Sequence, residues 1–151
     1  MADARPEPHF DQDVVVALDD RQHRTRLRVW TDGRGGPGTT YRLELLPWLD
    51  EHGGPYAAAG PDMFEALVRL RRQLEPEGWA IAVQGARRDA YPSGMARDMG
   101  GGFRTYLLRP GRKASVSDLV DTLADAPVAL LATVDEQRAF FEAWLREPRK
   151  V

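Results

Sequence analysis

The chain of 151 residues contains no cysteine. That absence excludes disulfide bonds, thiolate metal sites and cysteine nucleophiles. No stretch approaches the roughly eighteen consecutive apolar residues of a membrane-spanning helix, and the first residues carry no apolar run of signal-peptide length. We therefore expect a cytoplasmic protein that has no membrane partner.

Lysine is scarce, occurring only at positions 113 and 150, whereas arginine is abundant. The formal net charge is −2, and acidic and basic residues are interspersed. A surface of this kind has no field of one sign that would draw the molecule to nucleic acid, so nucleic-acid binding is disfavoured. The arginine bias is typical of codon usage in GC-rich genes, and arginine clusters alone therefore carry little functional weight.

Signatures of catalysis and of cofactor binding are also missing. The histidines at 9, 23 and 52 lie far apart and lack the spacing of metal ligands. The chain has no Gly-x-Ser-x-Gly nucleophile elbow and no nucleotide-binding glycine motif. We expect no metal site and no cofactor.

Alternation of apolar and polar residues predicts strands, and apolar residues at helical spacing predict helices. Asp62 with Glu65, and Thr133 with Glu136, are typical of helix N-termini, and Ser115 or Ser117 suits the start of a shorter helix. Residues 126–132 are apolar but too few to assign. The predicted strands cover 14–18, 25–30, 41–45, 79–84 and 103–109; the predicted helices cover 62–74, 115–123 and 133–147.

This order of elements predicts a single α+β domain over residues 13–151, preceded by a flexible tail at 1–12. The sheet is expected to be mostly antiparallel, with an N-terminal three-stranded meander and a β-hairpin that has a long loop, packed with about three helices. Residues 49–61 are rich in glycine and proline and are expected to form a loop. Exposed edges of the meander would make a homodimer possible.

The long loop of that hairpin, residues 85–102, is the most distinctive part of the chain. It holds five of the fourteen glycines together with three arginines and two aspartates. Hairpin loops usually need about two to five residues, and loops of this length are commonly functional. We expect an ordered functional loop, anchored by Tyr91, Met95 and Met99.

Several side chains of this loop suit the capture of an anion. The three arginines are forked donors that could converge on a carboxylate or phosphate, and hydroxyls would add hydrogen bonds. Gly94 is expected to take a positive φ in a turn, and glycines 100–102 to form a bulge or to expose amides to a ligand. The candidate ligand- or partner-binding residues are Arg87, Arg88, Asp89, Tyr91, Ser93, Arg97 and Asp98.

Three hypotheses for the loop remain open. In the first, it engages a protein partner or a small anionic ligand. In the second, the protein is an enzyme acting on a small molecule that bears a phosphate or carboxylate, with Asp89 or Asp98 transferring a proton in a concave pocket. In the third, the loop is structural and braces itself through the ion pairs Arg87–Asp98 and Arg97–Asp89.

Residues 62–147 resemble a family of small bacterial proteins that has no assigned activity. The resemblance lies in the whole stretch from Gly85 to Gly102, in Tyr106, and in the segment Thr133-Val-Asp-Glu-Gln-Arg-Ala-Phe-Phe-Glu-Ala-Trp-Leu145. It implies a stand-alone, immunity-like or accessory protein that binds another macromolecule, and it assigns no catalytic residue. The first sixty residues lie outside it.

Overall fold

The computed structural model describes residues 7–48 and 55–148. These residues form eight strands and three α-helices in two antiparallel sheets, so the predicted α+β class is confirmed. The strands are β1 (Phe10–Leu18), β2 (Arg21–Asp32), β3 (Thr40–Leu45), β4 (Tyr56–Gly60), β5 (Ala80–Ile81), β6 (Ala90–Tyr91), β7 (Arg104–Leu107) and β8 (Leu119–Asp121). The helices are α1 (Met63–Leu74), α2 (Gly94–Gly100) and α3 (Val134–Arg146).

The first sheet curls around α1 and encloses the core. Its strands follow the order β4-β3-β2-β1-β5, and the predicted meander of β1, β2 and β3 is confirmed. Alternation along each strand turns one face towards the helix, where Leu27, Val29 and Leu43 are fully buried. Helix α1 buries Leu67 and Leu70 on the facing side. The core therefore lies between one face of the sheet and one face of α1.

Strand β4 lies within the region that was expected to be a loop. It pairs with β3 in antiparallel register, from Tyr41 opposite Gly60 to Leu45 opposite Tyr56. The sequence did not predict this strand, because alanine has a low preference for strands. The three small alanine side chains allow α1 to pack closely against β4. Side chains of α1 cover the outer edge of β4, since Arg69 donates to the Ala59 carbonyl and Gln73 to the Ala57 carbonyl. Occupied carbonyls do not favour pairing with a second copy along this edge.

Two other boundaries differ from the sequence prediction. Strand β1 begins at Phe10, inside the expected tail, because Phe10 pairs with Val29 and the His9 amide donates to the Val29 carbonyl. The strand expected at 79–84 is reduced to β5, which pairs with β1. Residues 1–6, 49–54 and 149–151 lie outside the described residues.

The second sheet has the order β6-β7-β8, so β7 pairs with β6 and β8 and the expected long-loop hairpin is not formed. Strands β5 and β7, which flank the long stretch, do not pair with each other but lie in different sheets. The helix expected at 115–123 is wrong. Ser115 begins only a 3-10 turn at Val116–Asp118, and the chain then enters β8 because Val120 pairs with Thr105 of β7.

Residues 124–132 run antiparallel to residues 82–88. The Gln84 amide donates to the Ala124 carbonyl, the Ala126 amide to the Ala82 carbonyl, and the Arg88 amide to the Leu130 carbonyl. The undecided stretch 126–132 is thus mainly extended chain, with one 3-10 turn at Val128–Leu130. This pairing fixes the start of the distinctive stretch against the C-terminal third of the chain.

A buried arginine joins these parts. Arg71 of α1 is only 2% exposed, and its guanidinium donates to Gln137 Oε1 at 2.7 Å and to the Ala132 carbonyl at 2.7 Å. Gln137 Nε2 in turn donates to the carbonyls of Gly85 and Arg87, both at 2.8 Å. Burial lowers the pKa of Arg71 to about 10, which leaves it charged at neutral pH, and Glu75 lies 3.8 Å from its Nε.

We predict that Arg71→Met lowers the free energy of unfolding by about 2 to 5 kcal/mol, because it leaves buried acceptors without a donor. The matched control is Arg72→Met, whose exposed guanidinium makes one 3.6 Å ion pair with Asp135 and should contribute less than about 1 kcal/mol. Urea denaturation of both variants measures the difference. Equal stability of Arg71→Met and the parent would contradict the assignment.

The hydroxyl of Tyr56 is expected to lose its proton at an unusually high pH. Its hydroxyl donates to Glu77 at 2.6 Å, and this hydrogen bond, with burial second, raises the pKa of Tyr56 from 10.0 to about 12. The protonated phenol stabilises the fold below pH 10, and that contribution is lost as the pH rises through about 12. Phenolate absorbance during alkaline titration should contain a late step that Tyr56→Phe removes. A late step that survives this substitution would refute the assignment.

Candidate functional site

The stretch 85–102 is mostly regular structure rather than an open loop. A 3-10 turn at Gln84–Ala86 leads to β6 and then to α2. The Ser93 hydroxyl accepts a hydrogen bond from the Ala96 amide at 3.0 Å and caps α2. Gly94 is therefore the first residue of a helix, and the expected positive φ at this position is not found. Ser93, a predicted binding residue, has a structural role in this arrangement.

The glycine run at 100–102 has a packing role. Gly101 ends α2 with a φ of 64°, and its carbonyl accepts from the Met63 amide at 2.6 Å. Gly102 has a φ of 74°, and a Cβ on it would lie 2.8 Å from the amide nitrogen of Phe64. The run thus lets the chain pass directly against the N-terminal end of α1. The amides of Gly102 and Phe103 donate to carbonyls within the same segment.

Arg87 is held by its neighbours. Its Nε and Nη2 donate to the two carboxylate oxygens of Asp89 at 2.9 and 2.8 Å, and its Nη1 donates to Gln84 Oε1 at 3.1 Å. This forked pair within the segment differs from the expected pair with Asp98, whose side chain lies outside the described part of the structure. Arg87 and Asp89 therefore brace the turn that leads into β6.

Arg88, in contrast, is exposed. Its guanidinium lies 5.7 Å from the ring centre of Phe140 on α3, and it forms no ion pair with the described residues. Hydrogen bonds from Thr133 lower the pKa of Glu136, and the charge of Arg88 adds to that effect over a longer distance. Arg88 thus keeps its donors available to solvent while resting on an aromatic ring.

Arg97 pairs with α1 rather than with Asp89. Its Nη1 lies 3.4 Å from Asp62 Oδ2 and 3.9 Å from Glu65 Oε2. The guanidinium also lies over two rings, 5.1 Å from the centre of Phe64 and 5.5 Å from that of Tyr91. Arg97 therefore joins α2 to the N-terminal end of α1.

Tyr91 contacts the last helix. Its ring stacks on Phe141 with centres 3.9 Å apart and an interplanar angle of 6°, and it also packs against Phe64 at 5.3 Å. Phe141 stacks in turn near Trp144, whose indole Nε1 donates to the Arg109 carbonyl. Tyr91 is thus the anchor that the sequence suggested. Met95 is not one, because it is 71% exposed, and the side chain of Met99 lies outside the described residues.

Tyr91, Phe140 and Phe141 are all partly exposed and form a surface that we call the aromatic face. Arg88 lies beside it. Phe140 and Phe141 were assigned from the sequence to a helix, which is confirmed, but not to a site. The available signal was their adjacency, since neighbouring residues are about 100° apart on a helix and cannot both point fully into the core.

The predicted residues therefore divide into groups. Arg87 and Asp89 pair with each other, Ser93 caps a helix, Arg88 and Tyr91 belong to the neighbourhood of the aromatic face, and Arg97 turns towards α1. The three guanidinium groups share no partner among the described residues, so they are not gathered around one anion. Within the same residues no group of three or more acidic or histidine side chains could hold a metal ion.

Comparison with known proteins gives no assignment. No protein-family model matches the chain, and no curated protein matches it. The family resemblance of residues 62–147 therefore stays a prediction. None of the helices within residues 7–48 and 55–148 combines the length and apolar character needed to cross a membrane.

We predict that Gly102→Ala lowers the free energy of unfolding by more than about 1 kcal/mol, because the positive φ and the contact with α1 both oppose a side chain. Gly100→Ala is the matched control: it lies at the end of α2 and a Cβ there would meet no atom within 4 Å. That variant should be neutral or slightly more stable. Thermal unfolding of both variants measures the difference, and equal melting temperatures would contradict the packing role of Gly102.

Proposed function

We propose that this protein binds a protein partner through the aromatic face and Arg88. The observation that supports the proposal is the stacked pair of Tyr91 and Phe141, which stays partly exposed beside an exposed arginine that has no ion-pair partner among the described residues. Aromatic side chains and arginine are the residue types that contribute most to binding at protein interfaces.

The rigidity of this surface favours the same proposal. Tyr91 is fixed on β6 and packed between Phe64 and Phe141, while Phe140 and Phe141 lie on α3, whose start is fixed by the Thr133 and Glu136 capping box. Interface residues that are already ordered lose little conformational entropy on binding.

The chemistry of the face suggests what kind of partner surface it would bind. Arg88 would pair with a carboxylate, and the rings of Tyr91 and Phe141 would contact an apolar side chain next to it. We therefore expect a partner surface with an acidic residue beside an apolar one. An immunity-like role, as the family resemblance implies, is consistent with this surface and forms part of the proposal.

The enzyme hypothesis has less support. It needs Asp89 or Asp98 beside the arginines in one concave pocket, but both oxygens of Asp89 are bound to Arg87, and the side chain of Asp98 lies outside the described residues. Arg97 lines a cleft between the β2–β3 connection and the N-terminal end of α1, and Asp89 is not part of its lining. A purely structural stretch would explain Arg87, Asp89 and Ser93, but it gives no reason for an exposed Arg88 on an aromatic surface.

The test has two steps. A photo-crosslinking residue at Arg138, one helical turn from Phe141, is introduced in the native cells, with Asp20 in the β1–β2 turn as the matched exposed control. A partner captured at position 138 and not at position 20 is then purified, and its affinity for the parent and for variants is measured by calorimetry.

We predict that Arg88→Glu weakens this affinity at least about tenfold, because in the proposed complex Arg88 faces a carboxylate of the partner and the substitution reverses its charge. Arg24→Glu, at an exposed arginine on β2 of the first sheet, should leave the affinity unchanged. Equal binding by the parent and Arg88→Glu would contradict the proposal, as would a partner whose capture does not depend on position 138.

A further inference from the structure

A cleft of about 550 Å³ lies between the β2–β3 connection and the N-terminal end of α1. Its lining includes Gly36, Gly38, Thr39, Tyr41, Asp62 and Arg97. The volume falls within the range of small-molecule sites, which is about 300 to 1,000 Å³. Of the predicted site residues, Arg97 is the one that lines this cleft.

Two hydroxyl groups in the cleft are conspicuous. Tyr41 is 4% exposed and Thr39 is 5% exposed, yet neither hydroxyl has a hydrogen-bond partner among the described residues. Tyr41 is fixed by an edge-to-face contact with Phe103 and by Gly101, where any Cβ would lie 2.5 Å from its hydroxyl oxygen. Neither oxygen is among the fully buried polar atoms that lack a partner in the described residues, so both hydroxyls are accessible and can donate to a ligand in the cleft.

Arg97 adds a charged donor. Its Nη1 makes a long hydrogen bond of 3.4 Å to Asp62, and its Nε and Nη2 have no partner among the described residues. The guanidinium packs against the rings of Phe64 and Tyr91, and these contacts restrict its orientation. A planar guanidinium with open donors binds carboxylate and phosphate groups in two-point contacts.

The glycines and Asp62 complete the lining. Gly36 and Gly38 line the cleft with φ values of 75° and 86°, and no atom lies within 4 Å of the position that a Cβ would take on either. Asp62 accepts from the Glu65 amide and shares Arg97 with the Glu65 carboxylate, which also pairs with Arg69 at 3.3 Å, so the two acidic side chains are matched by two arginines. Asp62 Oδ2 could accept one N–H or O–H from a ligand.

We propose that this cleft binds a small organic oxyanion, a carboxylate or a phosphate ester that also carries one hydrogen-bond donor. The oxyanion pairs with Arg97 and receives hydrogen bonds from the hydroxyls of Tyr41 and Thr39, while the ligand donor faces Asp62. This site is separate from the aromatic face and does not depend on the protein partner proposed above.

Nuclear magnetic resonance titration of the full chain tests the proposal with two matched pairs of probes. Glycerol 3-phosphate is compared with glycerol, and succinate with its uncharged diamide. We expect at least one anion, and neither uncharged analogue, to shift the amide signals of Gly36 and Gly38 and the Nε signal of Arg97. Which anion binds more tightly distinguishes a phosphate from a carboxylate site.

Variants locate the binding. Tyr41→Phe removes one hydroxyl and keeps the ring, and it should lower the affinity for the anion about tenfold. Tyr106→Phe, on β7, and Arg88→Glu, on the aromatic face, should bind as the parent does, and thermal melts confirm that each variant is folded. Two results would overturn the proposal: no shift of these signals with either anion at millimolar concentration, or equal affinity of Tyr41→Phe and the parent.

Discussion

The arrangement of this protein depends on one buried charge. The Arg71 guanidinium has almost no contact with solvent and is balanced by Gln137, the Ala132 carbonyl and, at a longer distance, Glu75. A charge in such a place is tolerated only while all of its partners are present. Because Gln137 also holds the carbonyls of Gly85 and Arg87, the same interaction positions the turn that precedes Arg88 and Tyr91. These hydrogen bonds therefore join α1, the turn that leads into β6, and α3.

Local patterns in the sequence predicted the elements whose stability is local. The meander follows from alternation, and α1 and α3 follow from helical spacing together with Asp62 and Thr133, whose caps the structure contains. The sequence prediction was wrong where the secondary structure of a segment depends on pairing with a strand that is distant in the sequence. Residues 119–121 form a strand because β7 lies beside them, and residues 56–60 form one because β3 and α1 enclose small side chains. Neither neighbour is visible in a short window of sequence.

The same distinction applies to the candidate sites. Composition drew attention to residues 85–102, but it gave no indication of their partners. Arg97 lies against Asp62 and Phe64, and Tyr91 against Phe141, so both depend on side chains from elsewhere in the chain. The two hydroxyls of the cleft come from β3 and the residue before it, outside any distinctive motif. The glycine run correctly indicated unusual backbone conformations. At Gly102, glycine is also needed because the chain packs directly against the N-terminal end of α1.

The pairing of Arg71 with Gln137 spans 66 positions of the chain. During synthesis, the first sheet and α1 leave the ribosome well before Gln137 does, and burial of the arginine in that interval would have no compensating acceptor. The nascent N-terminal half is therefore expected to keep this side of α1 hydrated until the last helix arrives. Completion of the fold is in this way coupled to the appearance of α3, and a chain interrupted before residue 137 would remain a target for proteolysis.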